Sequence, residues 1–164
     1  MTKTKWHYTT GQCAVQIIRD GVIKPATAYV PEGERPIVWF STNQDWELTA
    51  NKLWKNPGGS LIRLGRVQTG ELGGGLVRFG VAPETAPHDW RALKEFSGMP
   101  GWMAQRLYRA AIARGARPGE WWGTFEPVIR SQWTAIDVDQ DGVWVPVSLD
   151  SGPGVITSSH NQQI

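Results

Sequence analysis

Ile37-Val38-Trp39-Phe40 is apolar at four successive positions, and because strand side chains alternate, a strand of this kind has to be covered on both faces. That requirement implies a layered fold with this segment near the middle of a sheet. Pro36 precedes it and Ser41-Thr42 follow it, so hydroxyl groups gather where the apolar run stops. Trp6-His7-Tyr8-Thr9-Thr10 has the same character. Polar groups at the ends of rigid strands are how a sheet offers a cleft to a ligand.

The neighbouring segments supply the rest of the layers. Trp6 to Thr9 reads as a first strand, and a helix follows from Gly11-Gln12 to about Asp20. Thr9 or Thr10 serves as its N-cap, Ala14, Val15, Ile17 and Ile18 as its buried stripe, and Gly21 as its left-handed C-cap. Val22 and Ile23 lead into Pro25, and Tyr29 to Arg35 reads as a mobile loop before the central strand. Asp45 to Trp54 reads as a second helix, capped by Thr42 or Asn43 and stopped by Asn56-Pro57-Gly58-Gly59.

Leu61 to Val67 and Gly75 to Val81 read as strands joined by a flexible, glycine-rich hairpin connection, Gln68 to Gly74. That link lacks the Lys-Ser/Thr of a phosphate-binding P-loop. Ala82 to Asp89 reads as a surface stretch, and Trp102 to Arg114 as a helix with Met103, Leu107, Ala110 and Ala111 on one face. Arg106, Arg109 and Arg114 make its other side basic, either a solvated face or a substrate-facing patch. Phe125 to Ile129, Trp133 to Val138 and Val143 to Val147 read as closing strands. Between the last two, Asp137, Asp139, Asp141 and Gly142 match the opening of a calcium loop, yet position twelve is Ser148 rather than a bidentate Glu. A hairpin turn on Asp141-Gly142 accounts for the motif, and no metal is expected.

A chain of 164 residues with 40% hydrophobic content fits one domain over residues 1–150, with 151–164 as a polar, flexible tail. Seventeen basic against fifteen acidic residues give a net charge of +2, too little overall field to hold the chain on nucleic acid or an anionic membrane. Cys13 is the only cysteine, which excludes an internal disulfide and a cysteine-cluster zinc site and suits a reducing compartment. No apolar run approaches the roughly 20 residues of a spanning helix, and no signal-like segment opens the chain, so the expectation is a cytoplasmic protein that does not enter a membrane. The ten tryptophans are expected mostly in the core.

The order of these elements resembles the ADP-ribosyltransferase superfamily: a strand with His7, a helix, Gly21-Val22-Ile23-Lys24-Pro25, a loop, a strand ending Trp39-Phe40-Ser41, and a late strand near Glu126. The resemblance implies an α+β fold in which a split mixed sheet with flanking helices clamps NAD as co-substrate. By that resemblance His7, with Tyr8 and Thr9 beside it, matches the first motif, which binds the adenosine ribose. Trp39, Phe40, Ser41 and Thr42 match the second, which lines the nicotinamide side. Glu126 matches the catalytic acid of the third, with Glu120 as its rival.

The implied activity is transfer of ADP-ribose to a macromolecular acceptor, protein or nucleic acid, in the style of a toxin-like phage or bacterial effector. Two other functions fit the same fold. One is a non-catalytic module that binds a nucleotide, a nucleic acid or a protein. The other is an RNA 2′-phosphotransferase-like enzyme, which would need basic residues such as Arg35, Arg63 and Arg66 gathered around the cleft.

Overall fold

In the computed structural model the described residues are 3–28 and 30–148; the expected tail at 151–164, and Tyr29 at the start of the expected loop, lie outside them. β1 (Lys5–Thr10) runs into α1 (Gly11–Asp20), then β2 (Val22–Ile23) and β3 (Val38–Ser41). The hairpin β4 (Leu53–Lys55) and β5 (Leu61–Arg63) leads to α2 (Arg66–Gly73) and β6 (Leu76–Val81). β7 (His88–Asp89), α3 (Trp90–Ser97) and α4 (Gly101–Ile112) follow. β8 (Trp121–Thr124), β9 (Val128–Ile129), β10 (Trp133–Gln140) and β11 (Val143–Val147) close the described chain.

The fold is α+β, built on a seven-stranded sheet in the order β11-β10-β6-β1-β3-β8-β7, with β2-β9 and β4-β5 as two small ribbons. The implied mixed sheet is not what forms: every pairing among the described residues is antiparallel. The reason lies in the link between β1 and β3. Ala26 bridges Ile37 in antiparallel fashion, so the chain runs past Ala26 in the direction of β1, turns, and re-enters the sheet reversed.

Alternation along the strands sorts side chains into two layers, as the apolar central strand requires. Val38 and Phe40 face α1 and the β2-β9 ribbon, in a core with Val77, Phe79, Val128 and Ile136. Phe79 and Val81 have no exposed surface, and burying one such side chain contributes about 1.5–3 kcal/mol. Ile37 faces the opposite side, where Trp90, Leu93, Ala104, Ala111 and Trp121 pack under α3 and α4. On that same side of β1, Trp6 and Tyr8 pack with Trp46 and Leu76. Arg78 there sits 3.8 Å over the Trp6 ring and pairs with Asp137 at 2.7 Å.

Several expectations change. The helix expected over Asp45 to Trp54 is only a 3-10 turn, Leu48–Ala50, followed by β4. Local side-chain bonds take over the groups a helix would use: Glu47 accepts from the Thr49 amide, and Asn51 accepts from the Trp46 indole. The expected strand to Val67 stops at Arg63, and the expected flexible link is α2, because Gly70 and Gly73 are needed for close packing against Leu76 and Thr10. α3 was not expected; its signals are the Asp89 cap, accepting from the Ala92 amide at 2.9 Å, and Gly98 at its end. The expected surface stretch 82–89 contains β7, which pairs with β8. Thr10 is the N-cap of α1 without a side-chain cap bond, and Val15 is 59% exposed rather than part of the buried stripe. The expected strand Phe125 to Ile129 shrinks to β9, Val128–Ile129, because the chain bends at Phe125-Glu126; β8, which was not expected, ends before it at Thr124.

Two local readings hold. α1 ends at Asp20 with Gly21 in the left-handed conformation, and Asp141-Gly142 form the two-residue turn between β10 and β11. Among the described residues no group of three or more metal-ligating side chains is found, and Asp137 and Asp139 are engaged by Arg78 and Arg66. No described helix is long and apolar enough to cross a membrane. Five of the ten tryptophans are buried and three half-buried.

Candidate functional site

β1 has unequal neighbours. Toward β6 it pairs at six successive positions, from Lys5↔Val81 to Thr10↔Leu76; toward β3 its recorded register is the single pair Trp6↔Ser41. Beyond that pair the ladder is replaced by a side chain. His7 Nδ1 lies 2.9 Å from the carbonyl oxygen of Trp39, and its ring lies 5.8 Å from that of Phe40.

This contact determines the state of His7. A carbonyl oxygen can only accept, so Nδ1 carries the proton and Nε2 of the neutral ring presents a lone pair. Burial lowers the His7 pKa below its ordinary value, the Trp39 carbonyl opposes that shift, and the nearby Lys52 ammonium adds to it. The imidazole is therefore neutral at pH 7, a donor toward the strand and an acceptor on its other nitrogen.

His7, Tyr8 and Thr9 line a cleft of about 330 Å³ at this seam. Its other walls are one side of α1, including Cys13, Gln16 and Asp20, then the β2 segment through Lys24, and finally Lys52. Lys24 is held by Asp20 at 3.1 Å, whereas Lys52 has no ion-pair partner among the described residues. The cleft thus joins a lone-pair acceptor, the Thr9 position and one uncompensated cation. That set matches a hydroxylated, anionic ligand, and the volume is at the small end of ligand sites, which span about 300–1,000 Å³.

The second group of expected residues stands behind this cleft rather than in its lining. Phe40 is core, and Trp39 packs on the other side of the sheet, its ring 6.1 Å from that of Trp121. Ser41 is 1% exposed and donates from Oγ to Glu47 at 2.9 Å. The Thr42 amide donates to the Glu120 carbonyl at 2.9 Å. What β3 contributes to the cleft is the Trp39 carbonyl that orients His7.

The two candidate acids are far apart in role. Glu126 is exposed in the bend before β9, two residues from Val128, which pairs with the cleft residue Ile23. Glu120 is half-buried at the opposite end of β3, where it accepts from Asn43 Nδ2 at 3.2 Å. Neither lines the cleft, but only Glu126 is on a segment that borders it. Arg35, Arg63 and Arg66 are dispersed: Arg35 covers the Phe125 ring, Arg63 donates to the Asn51 carbonyl, and Arg66 binds Asp45 and Asp139.

Two important residues escaped the sequence reading. Glu47 is 7% exposed and accepts from Ser41, from the Thr49 amide and hydroxyl and from the Trp121 indole, so it ties β3, the 3-10 turn and β8 together. A carboxylate six residues after a strand-end serine, followed by Thr49, was the available signal. Lys52 carried none, because only the tertiary fold brings it to His7. No protein-family model matches this chain, and neither a curated protein nor a solved structure matches it significantly.

Proposed function

We propose that this chain is an NAD-dependent ADP-ribosyltransferase acting on a macromolecular acceptor, with the His7 cleft as the dinucleotide site. The observation that carries the reading is the oriented imidazole at an opened strand seam, with Lys52 beside it in the cleft wall. NAD supplies an activated ribose whose bond to nicotinamide breaks with the electron pair leaving on the nicotinamide. His7 Nε2 accepts a ribose hydroxyl proton in a hydrogen bond. Lys52 attracts the diphosphate, and Phe40 with the Trp39 carbonyl keeps the imidazole in place.

Of the two candidate acids only Glu126 is on a segment that borders this site, and we assign it the carboxylate that stabilises positive charge developing on the ribose. The dispersion of Arg35, Arg63 and Arg66 argues against the 2′-phosphotransferase reading, which needs them around the cleft. A pure binding module uses the same cleft without turnover, and the test separates the two.

The test measures NAD binding by calorimetry and nicotinamide release for wild type, His7→Gln and Glu126→Gln, with circular dichroism as the control for folding. Wild type is expected to bind and release. Glu126→Gln should keep binding and lose release by about 100-fold or more. Binding without release by wild type, with or without added acceptors, favours the binding module, and absence of NAD binding overturns the reading.

A further inference from the structure

The net charge of +2 hides an uneven distribution. Residues 90–117 hold six cations, Arg91, Lys94, Arg106, Arg109, Arg114 and Arg117, against the single acid Glu95; the rest of the chain holds eleven cations and fourteen acids. These residues form α3, α4 and the turn after them, on the sheet side opposite the His7 cleft. Among the described residues Arg91, Arg106, Arg109 and Arg114 have no ion-pair partner, and the only one for Arg117 is Glu120 at 3.9 Å.

The geometry is that of a groove with an aromatic crest. A cleft of about 680 Å³ runs between the two helices, with Arg91 and Lys94 on one wall and Gln105 and Tyr108 on the other. Helical spacing places Trp102, Arg106 and Arg109 on one outward stripe, about 10 Å long at 1.5 Å per residue. Trp102 is 63% exposed and Tyr108 46%, so both rings offer faces to solvent. Arg114 extends the positive region toward Arg63, whose guanidinium is pushed below its ordinary pKa by burial and then by this neighbour.

We propose that the α3–α4 surface binds single-stranded nucleic acid, with phosphates on Arg91, Lys94, Arg106 and Arg109 and bases stacked on Trp102 and Tyr108. Unpaired arginines beside exposed rings are the arrangement that holds a strand without reading its sequence. A duplex keeps its base faces stacked inside and leaves these rings unused, and an acidic peptide supplies the charge but no flat partner for them. The inference goes beyond the NAD reading and does not depend on it, because binding is measured without NAD.

The test is fluorescence anisotropy with labelled dT and rU oligomers of about twelve nucleotides, titrated at several salt concentrations. Binding of either is expected, with log affinity falling against log salt by about 0.7 per neutralised phosphate. Arg106→Glu with Arg109→Glu should weaken binding at least about tenfold and flatten the slope by about 1.4. Trp102→Ala should weaken it about tenfold with the slope unchanged. These side chains are exposed, and Arg109→Gln serves if the double reversal does not fold. No binding of either oligomer at the lowest salt overturns the proposal. So does equal binding of polyglutamate with Trp102→Ala as tight as wild type, which would make the surface an acidic-protein dock.

Discussion

The two sides of β1 solve different problems. On the β6 side six consecutive pairs form an unbroken ladder, and β6 pairs onward with β10, with one register shift between Trp133 and Ala135; the β6–β10 cross-strand pair Asp137↔Arg78 is also an ion pair under a tryptophan. On the β3 side one pair is recorded, and an imidazole takes the carbonyl that a ladder amide would take. The ladder makes β1 rigid, and the open seam lets a rigid strand present polar side chains to a cleft. A ladder on both sides would leave the His7 ring no strand carbonyl to bind.

Breaking the laddered side should be the most damaging change. Asp137→Ala leaves the Arg78 guanidinium buried without its carboxylate, and orphaning one partner of a buried pair costs about 3–5 kcal/mol. Urea denaturation should show that loss. A loss below about 1 kcal/mol would mean that stacking on Trp6 and Trp144 holds the arginine by itself.

On the seam side β3 takes its support from β8, through four pairs from Val38↔Thr124 to Ser41↔Trp121. Gly123 is the tight point. A Cβ there would come within 2.8 Å of the Ile37 side chain and 2.9 Å of the Val38 carbonyl oxygen, and the latter is backbone that cannot swing away. Gly123→Ala is expected to destabilise the fold by about 1–3 kcal/mol and to weaken NAD binding by shifting the Trp39 carbonyl. Stability lost with NAD affinity unchanged would separate β3 placement from the cleft.

The comparison also explains what could be read from the chain. Patterns closed within a few residues were legible: β1, α1 with Gly21, the apolar β3 and the Asp141-Gly142 hairpin each carry their signal locally. The placement of His7, Tyr8 and Thr9 beside a cleft was legible for the same reason, since a polar group in an aromatic strand stands out. The 3-10 turn, β4 and α2 were misread because side-chain bonds from Glu47 and Asn51 and glycine contacts with Thr10 and Leu76 override local preference. Ser41 and Thr42 were assigned to the ligand, yet their hydrogen bonds are spent on Glu47 and Glu120. Lys52 reaches His7 only through long-range folding.

A smaller effect is expected from His7 itself. His7→Ala removes one neutral hydrogen bond at a seam that is already open, a loss of about 1 kcal/mol. NAD binding should fall far more than stability does, which calorimetry and urea denaturation on the same samples would show. Equal losses in both would make His7 a packing residue.

The smallest effect is on pH dependence, and its sign follows from the direction of the shift. Burial lowers the His7 pKa from its ordinary value of 6.5, so the folded chain keeps the ring neutral where the unfolded chain protonates it. The stability from this neutral ring is complete above pH 6.5 and is lost as pH falls from there toward the lowered folded value. His7→Ala lacks that loss, so the gap between wild type and variant should narrow from neutrality to about pH 5. A gap that stays constant would mean that the imidazole titrates alike folded and unfolded. The pull of the Trp39 carbonyl toward the protonated ring would then offset the effect of burial in full, and the imidazole would charge as readily as one in water, so the seam would lose its neutral acceptor as pH falls while the laddered side stays unchanged.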